Sequence, residues 1–69
     1  MSTTITLFLN GQAVQLPEGA RLHDAIEASG VRPPFAAAVN LQFVPRAQYA
    51  HTFLKTGDQV ELIAPVTGG

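Results

Sequence analysis

The chain has 69 residues, four Lys/Arg against five Asp/Glu for a net charge of −1, two His and no Cys. A chain of this length makes one small domain that buries about 60% of its unfolded surface. It has neither disulfides nor a Cys-based zinc site to staple it, so packing must hold it. The absence of any Lys/Arg cluster argues against nucleic acid as a partner. The absence of an apolar run approaching about 18 residues argues against a membrane span, and the expected location is cytoplasmic.

Along the chain, Ile5, Leu7 and Leu9 alternate with Thr4, Thr6 and Phe8, which predicts a strand with one outward aromatic. Asn10-Gly11 tolerates positive φ at both positions and predicts a hairpin into a second strand, where Val14 and Leu16 share a face. Pro17, Glu18 and Gly19 break that pattern, and Leu22, Ala25, Ile26 and Ser29 then recur at helical spacing up to Gly30, a left-handed C-cap. Arg21 stands where a capping Ser, Thr or Asp is expected, while Asp24 in the first turn suits the helix dipole.

After Arg32-Pro33-Pro34, "AAAVN" reads as a short buried strand and "QFV" as another, stopped by Pro45. "RAQYAHTFLKTGD" reads as irregular, with a turn at Thr56-Gly57-Asp58 and with Tyr49, Phe53 and Leu54 plugging it onto the core. Phe35 and Phe43 are also assigned to packing. "QVELI" alternates, with Val60 and Leu62 inward and Glu61 and Ile63 outward. A hairpin, a crossover helix and further short strands predict an α+β fold of β-grasp, or ubiquitin-like, architecture. It has a mixed sheet of about five short strands and one main helix, the last strand lying centrally beside the first. Residues 1–63 form the domain and residues 64–69 a flexible tail.

That tail carries the chemistry. Six residues span at most about 20 Å when extended, and Pro65 favours an extended path. Gly68 and Gly69 lack Cβ atoms and can pass a constriction, leaving the α-carboxylate of Gly69 as the reactive group. A carboxylate must be activated before it donates its acyl group. The chain contains no phosphate-binding glycine loop, so the ATP site belongs to a partner and no cofactor is expected on this chain.

The stretches "NGQAVQLPEG", "LHDAIEASG", "VNLQFVPR" and "TGDQVELI", with the terminal "GG", resemble the sulfur carrier proteins of thiamine biosynthesis over nearly the whole chain. The resemblance implies that Gly69 is adenylated by an ATP-dependent enzyme related to the ubiquitin activators. It is then converted to a thiocarboxylate with help from a sulfur-donating enzyme and presented to thiazole synthase. Val66, Thr67 and Gly68 thread the tail, and Phe8, Ile63, Val66 and Arg46 form the partner surface. Arg21 at the helix start and Pro65 in the tail depart from the family pattern.

Other chemistry is weakly supported. His23 and His51 lack the clustered ligands of a metal site. Glu18, Asp24, Glu27, Asp58 and Glu61 are scattered and read as solvated charge rather than acid/base catalysts. The chain is accordingly expected to be a protein substrate and carrier, not an enzyme. The alternatives are a sulfur carrier for molybdopterin synthesis or tRNA thiolation, a ubiquitin-like protein modifier, or a β-grasp interaction module with an inert tail.

Overall fold

The computed structural model describes residues 3–65. Strand β1 (Thr4–Leu9) and β2 (Gln12–Pro17) form the opening hairpin, followed by helix α1 (Leu22–Ser29), β3 (Ala36–Val39), β4 (Gln42–Val44), a 3-10 helix (Arg46–His51) and β5 (Gln59–Ile63). The strands form one sheet in the order β2-β1-β5-β3-β4. β5 runs parallel to β1 and antiparallel to β3, so the last strand occupies the centre. This is the mixed sheet with one main helix that the β-grasp expectation required.

Both hairpin turns have two residues, and all four adopt positive φ: Asn10 at 50°, Gly11 at 85°, Asn40 at 50° and Leu41 at 69°. That geometry matches the twist of the flanking strands. Asn and Gly adopt it readily; Leu41 does so at a cost of about 1 kcal/mol, and it is almost fully exposed.

The core lies between one sheet face and α1. Ile5 and Leu7 from β1, Ala37 from β3, Val44 from β4 and Val60 and Leu62 from β5 meet Leu22, Ala25 and Ile26 from the helix. Leu7, Leu22 and Val60 are completely enclosed, each worth about 1.5–3 kcal/mol relative to exposure. The helix begins without a hydroxyl cap. Instead the Arg21 backbone N–H donates to Asp24 Oδ2 at 2.8 Å, the reverse half of a capping box. It ends at Gly30, whose φ of 75° and N–H to Glu27 O at 3.2 Å form the C-cap.

Four expectations need correction. The stretch expected to be irregular contains the 3-10 helix Arg46–His51, packed against α1. Phe53 is exposed rather than buried: it pairs with Arg21 in an isolated bridge, and the Arg21 guanidinium lies 5.1 Å from its ring centroid. The cation covers what the core does not. Phe43, opposite Ala38, points out of the far face of the sheet and is exposed. Asp58 is buried at 3% exposure instead of solvated. Leu54 is buried, and Tyr49 and Phe35 pack against the core with ring centroids 6.0 Å apart, as their expected packing roles require. No helix among the described residues is long and apolar enough to cross a membrane.

Candidate functional site

The segment ending in Gly69 leaves from β5, so the site is built on how that strand is held. Its parallel pairing with β1 covers only Phe8↔Gln59 and Leu9↔Val60. The turn residue Asn10 continues the ladder. Its backbone N–H donates to Val60 O at 2.9 Å, its side-chain Oδ1 accepts the Leu62 N–H at 2.9 Å, and its Nδ2 donates to Leu62 O at 3.3 Å. An amide side chain thereby substitutes for the next residue of a neighbouring strand.

On the other side Asn40 does the corresponding work at the start of β5. Its N–H donates to Gln59 O at 2.8 Å, and its Oδ1 accepts the Gln59 N–H at 3.0 Å. Its Nδ2 reaches Asp58 Oδ1 at 3.0 Å. Burial alone would raise the Asp58 pKa; the hydrogen bonds from Asn40 and from the Lys55 N–H, with the Lys55 ammonium 3.4 Å away, outweigh it and hold the carboxyl below its ordinary range. Sequence reading treated Asn10 only as a turn former and placed Asn40 in the strand "AAAVN", whereas β3 ends at Val39 and Asn40 opens the turn. The signal that could have found their second role is an Asn at the first position of both two-residue turns, where the side chain projects beside the central strand.

Strand parity settles the two sheet faces. Phe8, Glu61 and Ile63 face away from α1, together with Ala36, Ala38 and Phe43, while their sequence neighbours enter the core. Phe8 is 40% exposed, Ile63 58% and Phe43 69%; on this face Ile63 stands at the exit of β5 and Phe8 beside Gln59 at its start. Among the strand residues on that face, Glu61 is the only charged one. Ile63 sits opposite Ala36 at the exit. Arg46 lies elsewhere: it opens the 3-10 helix and lines, with His23, Ile26, Pro34, Phe35 and Tyr49, an open groove of about 580 Å³ beside α1. The structure therefore brings Phe8 and Ile63 onto one surface and leaves Arg46 off it. Val66, Thr67, Gly68 and Gly69 lie outside the described residues.

The described residues contain no cluster of three or more His, Cys, Asp or Glu able to hold a metal ion. His23 pairs with Glu27 at 3.4 Å on the exposed helix surface. The described residues offer a clamped central strand and a sheet face that exposes Phe8, Phe43 and Ile63.

Comparisons with known proteins agree with this arrangement. The model of the ThiS family matches residues 5–69, through to the last glycine. The sulfur carrier protein ThiS of Escherichia coli (strain K12) is 38% identical over 64 residues, covering 91% of this chain and 97% of that protein. The crystal structure of the thiamine biosynthesis protein (ThiS) from Geobacter metallireducens superposes with a TM-score of 0.78 over 94% of this chain and 100% of the other, at 23% identity. The last of these bears on the fold and the first two on kinship, and together with the central β5 they establish that the chain belongs to the ThiS family, the family of the sulfur carrier proteins of thiamine biosynthesis.

Proposed function

We propose that this chain carries sulfur for thiamine biosynthesis as a thiocarboxylate on Gly69, made and consumed by partner enzymes. The observation that carries the reading is the family match running through residue 69, on a chain whose central strand leads directly to that terminus. In the proposed sequence, a carboxylate oxygen of Gly69 attacks the α-phosphorus of ATP in an activating enzyme, and pyrophosphate leaves. A sulfur nucleophile from a sulfur-donating enzyme then displaces AMP from the acyl-adenylate. Where that nucleophile is a persulfide, a partner's thiol then attacks the donor-side sulfur of the acyl disulfide, forming a disulfide and releasing the thiocarboxylate, which thiazole synthase consumes.

The chain contributes shape and position rather than acid or base. Residues 64–69 enter the partner's cleft, with Val66, Thr67 and Gly68 threading the constriction. The face bearing Phe8 and Ile63 docks the activating enzyme by burying apolar surface, and Glu61, on the central strand between them, calls for a partner cation within that surface. Arg46, on the groove side of the molecule, would serve a contact separate from that face.

Intact-mass measurement tests the reading. Incubation with a cognate activating enzyme, ATP and a sulfur source should add about 16 Da, one oxygen replaced by sulfur. Deleting Gly68 and Gly69, or adding one residue after Gly69, should abolish the gain by displacing the carboxylate from the reacting position. Phe8→Glu and Ile63→Glu should raise the KM for this protein about tenfold each while leaving its unfolding midpoint nearly unchanged. An unchanged mass with a competent partner, or reductant-resistant adducts on lysines, would refute the carrier assignment.

A further inference from the structure

The two edges of the sheet are unequal. β4 is three residues long and ends at Pro45, which blunts it. β2 is six residues long, and from Gln12 to Pro17 it has no charged residue.

The hydrogen-bond parity of β2 follows from β1. Phe8 N–H donates to Asp58 O and Thr6 O accepts from Gly57 N–H, so Phe8 and Thr6 direct their main-chain groups toward β5. Ala13 and Gln15 lie opposite Phe8 and Thr6. In an antiparallel ladder those two residues must therefore turn their N–H and C=O groups outward, away from β1. Four main-chain groups stand in a row on an uncharged edge. Pro17 does not guard it, because it sits at the strand's end with its carbonyl already accepting the Ala20 N–H at 3.1 Å.

We propose that this edge pairs with β2 of a second copy of the chain, antiparallel about a two-fold axis at Val14. In that register Ala13 lies opposite the partner's Gln15, and Gln15 opposite the partner's Ala13. All four outward groups are satisfied at once by four N–H···O bonds. Val14 meets the partner's Val14 on the core side of the joined sheet, a β-branched cross-strand pair, and Val14 is half-buried in the single chain. No charged side chain is brought against a like charge across the seam. This is what singles out a second copy: the strand's own sequence is complementary to itself in the one register its free groups require. β1 separates β2 from β5, so the dimer leaves the proposed carrier surface open, and the inference stands or falls independently of sulfur transfer.

Sedimentation velocity on the full chain tests it. Between about 10 μM and about 1 mM the weight-average sedimentation coefficient should rise from the monomer value toward that of a dimer. Over the same range, amide exchange at Ala13 and Gln15 should slow at least several-fold. Gln15→Pro removes an outward N–H that β1 does not use and should keep the protein monomeric. Gln15→Lys, which keeps the N–H and avoids any distortion proline introduces, sets two cations at diagonal positions across the seam and should weaken association several-fold. A single monomeric species up to 1 mM, or association that survives both substitutions, overturns the proposal.

Discussion

Replacing Asn10 by Gly isolates the worth of one side-chain amide. Glycine adopts the observed φ of 50° freely, so the turn is retained while the two bonds to Leu62, at 2.9 and 3.3 Å, are lost. Each neutral hydrogen bond contributes about 1 kcal/mol net, and the total loss should be about 2 kcal/mol. For a domain of this size that lowers the unfolding midpoint by roughly 10 °C. Asn10→Ala should cost about 1 kcal/mol more, because a Cβ in the left-handed region is strained. Asn10→Asp, which keeps the acceptor for the Leu62 N–H and loses the donor, should fall between the parent and the glycine variant. Circular dichroism melts give the midpoints, and hydrogen exchange at the Leu62 amide reports the local effect. If Asn10→Gly matched the parent within about 0.5 kcal/mol, with Leu62 protection unchanged, the amide would not be extending the ladder and the account of how β5 is held would be wrong.

Two further outcomes follow from the same clamp and its neighbouring turn. The folded-state pKa of Asp58 lies below its unfolded value of about 3.9, so its stabilisation is fully present above that value and is lost as pH falls through the folded-state pKa. Urea titrations from pH 6 to pH 2 should therefore show a smaller stability loss for Asp58→Asn than for the parent, and parallel curves would refute the assignment. Leu41→Gly should stabilise the protein by about 0.5–1 kcal/mol, measured as a higher urea midpoint at unchanged m-value, because it relieves the left-handed leucine at φ 69°; a loss of stability would show that Leu41 makes a compensating contact.

The hairpin, the helix and the final strand were legible because each writes its own period. Ile5, Leu7 and Leu9 alternate, Leu22, Ala25 and Ile26 follow the helical repeat, and both glycines Gly11 and Gly30 stand where positive φ is required. What escaped is set by residues distant in sequence. Asp58 looks like any turn aspartate until Asn40, eighteen positions earlier, donates to its carboxylate. Phe53 looks like core until Arg21 takes its place over the ring. The 3-10 helix at Arg46–His51 has neither a side-chain cap nor a buried residue to announce it. Of the candidate site, the outward placement of Phe8 and Ile63 could be read from alternation alone. The separation of Arg46 from them could not, since it depends on how the chain turns after Pro45.

The central seat of β5 has a consequence for how the molecule comes into being. During synthesis β1 and β3 are made first and can find no common neighbour, because the strand that joins them is the last of the five to be made. Every contact that closes the sheet spans a long stretch of chain, which makes closure the slow and decisive event of folding. A nascent chain interrupted before Gln59 would hold two separate hairpins and no closed sheet. Closure of the body is thus tied to arrival of the very strand that leads to Gly69.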